Sequence, residues 1–94
     1  MEIKLANTFT KKLIGLMFKK NINYGVLFLN TNKIHTCFMN INIDIYGLDK
    51  ENKIIEIRKN IKPWKIIILN KSKHTLEIPT NLNYKLNIGD TIKI

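Results

Sequence analysis

The sequence predicts an all-β protein, a sandwich or partly open barrel of about seven or eight short strands with one short helix near residues 9–18. Short runs rich in β-branched and aromatic residues recur along the chain, and Asn, Gly, Pro and Asp separate them about every eight to twelve residues. A chain of 94 residues has material for one hydrophobic core and seldom for two. Residues 1–94 are therefore expected to form a single domain.

The N-terminal third predicts two strands and the helix. Residues 2–5 alternate polar and apolar side chains, as a half-buried strand does. Residues 8–20 predict a short helix or a helical turn, because apolar side chains recur there at helical spacing: Phe9, Leu13, Leu16 and Met17. Residues 25–29 form a compact apolar run between Asn-rich segments, which is typical of a buried strand.

The middle of the chain predicts two strands and a hairpin. Residues 34–39 and 43–48 have the length and composition of strands, with a break at residues 40–42. Residues 49–53 are short and polar and lie between two β-rich runs, so they predict a hairpin turn. Residues 53–59 are the expected return strand.

The C-terminal third predicts three further strands. Residues 65–69 and 74–78 have strand composition, and Pro79 ends the second of them because proline has no N–H to donate. Residues 80–86 are compatible with one helical turn, since Leu82 and Leu86 stand four residues apart. Residues 91–94 are the expected final strand.

The formal charge of +9 is compatible with nucleic-acid binding, but the composition favours solvated lysines over a nucleic-acid surface. The basic residues are fifteen Lys and one Arg, and they accompany thirteen Asn and eighteen Ile. All three abundant residues have A/T-rich codons, so codon bias raises them together. The lysines are also spread along the chain, whereas a nucleic-acid footprint is usually clustered and favours Arg.

Several classes of protein are excluded by what the chain contains. Cys37 is the only cysteine, so neither an intrachain disulfide nor a four-cysteine zinc site can form. No secretory leader or bilayer-length apolar segment is visible, and a cytoplasmic location is expected. Neither a glycine-rich phosphate loop nor a serine nucleophile elbow is present. No cofactor and no metal are expected.

A series of short motifs resembles a known family. In order, these motifs are Gly15-Leu16-Met17, Gly25-Val26-Leu27-Phe28, Ile34-His35-Thr36-Cys37-Phe38-Met39, Ile43-Asp44-Ile45, Leu48-Asp49, Lys62-Pro63-Trp64, Leu76-Glu77-Ile78-Pro79 and Gly89-Asp90. From about Ala6 to Asp90 the chain is similar to the prokaryotic family called domain of unknown function 192. The resemblance implies a compact all-β domain and no assigned activity.

The chain departs from the family pattern at two positions. Asn42 stands where the family usually has proline, two residues before the motif Asp, and Cys37 stands where relatives often have an aromatic or small residue. A cysteine-dependent mechanism is therefore not implied. Many relatives carry a secretory leader, which this chain does not show.

The candidate site consists of polar or soft residues inside apparent strands, together with the one tryptophan: His35, Thr36, Met39, Asp44, Glu77 and Trp64. Strand alternation puts His35, Cys37 and Met39 on one face. A neutral imidazole near Asp44 or Glu77 has the chemistry of a general base. The plainer interpretation is a half-buried histidine tied to a neighbouring group.

Three other chemistries each have a plainer structural alternative. His35 and Cys37 share a strand face and are good metal ligands, but no ligand motif of diagnostic spacing completes them. Asp44 and Glu77 have the chemistry of a glycosidase carboxylate pair, or each accepts backbone N–H bonds. Trp64 is suited to stacking on a base or sugar, or it closes the end of a small core.

The favoured function is a non-catalytic binding or accessory module with a shallow pocket around His35, Asp44 and Glu77, whose partner is a small ligand or a protein. One alternative is a hydrolase in which His35 is the base and a carboxylate orients it. The other is a single-stranded nucleic-acid-binding barrel in which Trp64, Phe38 or Tyr46 stacks on bases; a nucleic acid is the less favoured partner.

Overall fold

The computed structural model describes residues 2–6 and 21–93. Within them, seven strands form two sheets: β1 Glu2–Ala6, β2 Tyr24–Phe28, β3 Lys33–His35, β4 Ile43–Leu48, β5 Ile54–Ile61, β6 Ile66–Ile68 and β7 His74–Pro79. One 3-10 turn follows at Thr80–Leu82. The predicted all-β class is confirmed. The helix predicted near residues 9–18 lies outside the described residues.

The larger sheet has the strand order β1-β2-β7-β4-β5, and β3 pairs with β6 in a separate two-stranded sheet. Only β1 and β2 run parallel, and all other neighbours are antiparallel. In the described part of the chain, β1 and β5 are the edges of the larger sheet, which does not close into a barrel.

Both faces of the larger sheet are covered. On one face, the two-stranded sheet and its loops pack on a first core of nine buried residues: Ala6, Ile22, Val26, Phe28, Ile34, Met39, Ile43, Ile45 and Leu69. On the other face, the C-terminal segment packs on a second core: Leu27, Tyr46, Leu48, Ile54, Leu76, Ile78 and Ile92. As a result, β4 and β7 are buried at every position, including their polar residues.

The hairpin between β4 and β5 turns where the sequence predicts it. The main-chain N–H of Asp49 donates to Lys53 O at 2.9 Å. The Asp49 carboxylate accepts from the N–H groups of Lys53 at 3.0 Å and Glu51 at 2.8 Å. These N–H groups, Lys53 foremost, hold the pKa of Asp49 below its usual value.

Two predicted strands differ from the structure. The strand expected over residues 34–39 ends at His35, because Thr36 bonds to a distant loop and the chain then turns, with Met39 N–H donating to Thr36 O at 3.2 Å. Of the strand expected at residues 91–94, the described residues 91–93 show a single bridge between Thr91 and Lys53. The helical turn expected over residues 80–86 is confined to Thr80–Leu82.

Candidate functional site

A group of exposed apolar side chains lies on the two-stranded sheet and on the loops that flank it. We name it the aromatic corner and define it by Phe38, Trp64, Ile66 and Ile68, whose exposed fractions are 47%, 62%, 64% and 57%. The Phe38 and Trp64 rings meet edge to face, with their centroids 4.7 Å apart and an interplanar angle of 61°. The aromatic corner thus presents large apolar side chains to solvent on strand β6 and the two loops beside it.

Both aromatic residues of the corner have a left-handed backbone. The φ angles are 61° at Phe38 and 67° at Trp64. Bulky L-residues rarely adopt this region, because the Cβ atom crowds the backbone. Such a residue costs on the order of 1–3 kcal/mol and persists only where its surroundings impose it.

Thr36 imposes this conformation by joining the two loops. It is fully buried, and its hydroxyl donates to Lys62 O at 2.8 Å and accepts from Lys65 N–H at 2.8 Å. Its main-chain N–H donates to Lys65 O at 2.8 Å, and its carbonyl accepts from Trp64 N–H at 3.0 Å. We call this set of bonds the Thr36 clamp.

Strand register places the two isoleucines of the corner on the outer face of the small sheet. Ile66 stands opposite His35, and Ile68 opposite Lys33. Ile67 between them packs against the first core, so the alternation of a strand turns its neighbours outward. The apolar run of β6 is therefore partly buried at its central residue and exposed on either side.

The surroundings of the aromatic corner are basic. Lys33, Lys62 and Lys65 are exposed beside it. The segments that carry the corner, residues 33–39 and 62–68, contain three lysines and no Asp or Glu. An apolar surface with a positive rim attracts partners that combine apolar side chains with negatively charged ones.

His35 lies half-buried at the end of β3, next to the aromatic corner. Its Nδ1 accepts a hydrogen bond of 3.2 Å from the main-chain N–H of Cys37. This bond occupies the ring nitrogen nearest the main chain and orients the imidazole within the turn. Among the residues described, no three His, Cys, Asp or Glu side chains are grouped so that they could hold a metal ion.

A second candidate region is an open cleft of about 570 Å³. We call it the Lys59 cleft; it is lined by Asp44, Lys59, Asn60, Thr80, Asn83, Tyr84 and Lys85. The Lys59 ammonium donates to Tyr46 Oη at 2.8 Å and approaches Asp44 Oδ2 and Tyr84 O at 3.3 Å each. The hydrogen bond to Tyr46 is the main reason why the pKa of Lys59 is raised.

Asp44 lies at the base of this cleft and is almost completely buried. Its Oδ1 accepts from Asn60 N–H at 2.8 Å and from the Thr80 hydroxyl at 2.9 Å. Together with the ion pair to Lys59, these bonds give the carboxylate three partners. Asp44 is thereby held at the base of the cleft, with the Lys59 ammonium beside it.

Glu77 and Asp44 lie on opposite faces of the larger sheet. Asp44 pairs with Ile78 of the second core, whereas Glu77 pairs with Ile45 of the first. Burial raises the pKa of Glu77 to about 8, so this carboxyl is protonated at neutral pH. The two carboxyl groups therefore do not flank one cleft.

The sequence-predicted residues thus separate into three regions. His35, Thr36 and Trp64 lie at or under the aromatic corner, Asp44 lies in the Lys59 cleft, and Met39 and Glu77 lie in the interior. Sequence reasoning missed Ile66, Ile68 and Lys59 as site residues. The isoleucines belong to a continuous apolar run that reads as wholly buried, and Lys59 is one of fifteen lysines without a distinguishing motif.

Comparisons with known proteins bear on the identity of the chain. The family model of domain of unknown function 192 (DUF192), described as uncharacterised, matches residues 1–94. A UPF0127 protein from Pyrococcus horikoshii is 35% identical over 101 residues, covering 98% of this chain and 86% of that protein. A UPF0127 protein from Thermococcus sibiricus is 32% identical over 99 residues, covering 96% of this chain but only 64% of its own length.

A solved structure shares the fold. A protein of unknown function from Novosphingobium aromaticivorans superposes with a TM-score of 0.86 at 21% identity, covering 98% of this chain and 74% of that one. The described residues include no helix long and apolar enough to cross a membrane. Given the match along residues 1–94 and relatives above 30% identity, the chain belongs to the DUF192 family, whose function is uncharacterised.

Proposed function

We propose that this protein is a non-catalytic binding module and that the aromatic corner is its binding surface. One observation carries the proposal: Phe38 and Trp64 are held toward solvent in a backbone conformation that bulky residues avoid. Strain of this kind accumulates where function requires a particular geometry. The Thr36 clamp organises the surface in advance, which lowers the entropy lost on binding.

Folding alone gives little reason to keep this arrangement. More than half of the Trp64 surface and nearly half of the Phe38 surface stay in water, so the exposed part of each ring adds nothing to folding while each backbone carries the strain of its left-handed conformation. The four apolar residues expose on the order of 400 Å², a patch of the size that on monomers is often functional. A bound partner would bury the apolar surface that these four side chains leave in water.

The partner that fits this surface is a segment of another protein that carries acidic and apolar side chains. The lysine rim of the corner, with no Asp or Glu in the segments that build it, supplies the charge complementarity. Exposed aromatic rings beside aliphatic side chains are typical anchors for apolar residues of a partner. A second copy of this basic chain would bring the lysine rims together and is disfavoured.

A nucleic acid fits the corner less well. The Phe38 and Trp64 rings face each other edge to face, whereas a stacking platform offers ring faces to successive bases. Arg58, the only arginine, is in β5 and not in the corner. The hydrolase alternative needs His35 beside a carboxylate, and the bonds of Asp44 are to Lys59, Asn60 and Thr80.

The test is binding to an array of peptides of about 12 residues that combine Asp or Glu with Leu, Ile and Phe, next to matched peptides with Lys in place of the acids. Wild-type protein is expected to retain a subset of the acidic peptides and none of the basic ones, more weakly at high salt. Trp64→Gly should raise the Kd of the retained peptides at least about tenfold, because it removes an anchor. Ile88→Ala is the matched control, since Ile88 is also 60% exposed but lies outside the corner.

Glycine at position 64 also separates binding from folding. It adopts a left-handed φ without strain, so Trp64→Gly should change the free energy of unfolding by no more than about 1 kcal/mol. The proposal fails if no acidic peptide binds, or if Trp64→Gly and wild type bind the same peptides equally. A single-stranded oligonucleotide that binds more tightly than every peptide and is released by Trp64→Gly would replace it with the nucleic-acid function.

A further inference from the structure

We propose that the Lys59 cleft is a separate binding site for a small molecule that carries a phosphate or carboxylate group. The cleft lies on the side of the larger sheet that holds the second core, at the ends of β4, β5 and β7. Its volume of about 570 Å³ is within the range of small-molecule sites. The proposal is independent of the aromatic corner and its partner.

A fixed ammonium group is the first reason to expect an anion. Lys59 is held by a short bond to Tyr46 Oη at 2.8 Å, and Tyr46 is itself fully buried. The other two contacts of the ammonium, to Asp44 and Tyr84, are longer at 3.3 Å. A ligand oxygen can displace a weak contact of this length while the Tyr46 bond keeps the charge in place.

The charge balance of the cleft is the second reason. Among the described residues that line the cleft, Asp44 is the single carboxylate, and its two hydrogen bonds and the Lys59 ion pair engage both of its oxygens. Lys85 adds a second, exposed cation. The cleft therefore has a net positive charge, and its one negative group already has partners.

Neutral donors at the rim complete the site. Asn60 and Asn83 both adopt left-handed backbone conformations, with φ of 55° and 53°, and both line the cleft. The side-chain oxygen of Asn60 accepts from the Asn42 amide at 2.9 Å, which leaves the Asn60 NH2 group as a donor. Two ammonium groups and amide donors around one opening suit a ligand with several negatively charged oxygens.

The experiment uses three defined probes at constant ionic strength: inorganic phosphate, glycerol 3-phosphate and citrate. Calorimetry is expected to show saturable binding of at least one probe with a millimolar or lower Kd. Lys85→Gln should raise that Kd at least about fivefold, because it removes one cation. Lys93→Gln, which removes an exposed lysine outside the cleft, should leave it unchanged.

Amide chemical shifts locate the bound probe. Residues 59–60 and 83–85 should shift on titration, and those of the aromatic corner should not. Preference for glycerol 3-phosphate over citrate would identify a phosphate ester as the ligand class, and the reverse a polycarboxylate. The proposal is overturned if no probe saturates, if Lys85→Gln binds like wild type, or if the shifts map outside the cleft. Because Trp64 does not line the cleft, Trp64→Gly should bind the probe like wild type, and failure of this proposal is therefore distinguishable from failure of the aromatic corner.

Discussion

Replacing Glu77 by glutamine should remove a pH dependence of stability that the wild-type protein owes to one buried carboxyl group. Glu77 is 3% exposed, between Val26 and Ile45 of the neighbouring strands. Burial raises its pKa from 4.5 to about 8. In the unfolded chain the same group ionises near its ordinary pKa.

The sign follows from proton binding. Between about pH 4.5 and about pH 8 the folded protein holds a proton at Glu77 that the unfolded chain has released, so rising pH favours unfolding. Each pH unit in this interval costs about 1.4 kcal/mol. The stabilising contribution of the protonated Glu77 carboxyl is complete below the pKa that Glu77 has in the unfolded chain. It is smaller by about 3 kcal/mol at pH 7, and it is lost once the pH passes the pKa of Glu77 in the folded protein.

Urea unfolding at several pH values from about 4.5 to about 8.5 measures this effect. The free energy of unfolding of Glu77→Gln relative to wild type should rise by several kcal/mol across the series, because glutamine carries no charge at any of these pH values. Glu51→Gln is the control, since Glu51 is exposed in the hairpin turn, and its difference from wild type should stay flat. A constant difference for Glu77→Gln would refute the reasoning.

If Glu77→Gln fails to fold, carboxyl 13C resonances of the wild-type protein answer the same question. The Glu77 signal should titrate near pH 8. A midpoint close to 4.5 would show that the carboxyl is solvated and that the buried geometry is wrong.

Substitutions at Gly47, Thr36 and Asp44 test the packing and the hydrogen bonds of the interior. Gly47→Ala should destabilise the protein by about 2–3 kcal/mol, because the added Cβ would lie 2.9 Å from Ser72 Cβ; Ser72→Gly should restore most of the loss in urea unfolding. Thr36→Val should lower the free energy of unfolding by about 2–3 kcal/mol, because it removes the buried hydroxyl of the Thr36 clamp. It should also alter the fluorescence of Trp64. Unchanged stability and unchanged emission would contradict the clamp. Asp44→Ala should cost about 2–4 kcal/mol and Asp44→Asn about 1 kcal/mol, because asparagine retains the oxygen that accepts from Asn60 N–H and from the Thr80 hydroxyl. Equal losses in thermal denaturation would contradict this geometry.

The sequence predicts those features that depend on neighbouring residues. The hairpin at residues 49–53 is predictable because Asp49 caps its own turn. The end of β3 at His35 is not predictable in this way, because Thr36 bonds to Lys62 and Lys65, which lie 26 and 29 positions further along the chain. Nor is the separation of Asp44 from Glu77, which follows from the register between β4 and β7.

Because both faces of the larger sheet are covered, the alternation of polar and apolar residues does not identify which strand face is exposed to solvent. In β7, His74, Thr75 and Glu77 are buried, although alternation assigns polar residues to a solvent face. In β6 the opposite happens, since Ile66 and Ile68 of an apolar run are exposed. Which face of a strand meets water depends on the layer packed against it, and that layer comes from distant parts of the chain.

The Thr36 clamp makes the aromatic corner a marker of completed folding. Phe38 and Trp64 belong to loops 26 positions apart in the sequence, and they meet only once β3 and β6 have paired. A partner that recognises both rings therefore binds the folded chain and not the unfolded one. Such a partner at 100 times its Kd would stabilise the fold by about 2.7 kcal/mol, a substantial addition for a domain with so small a core.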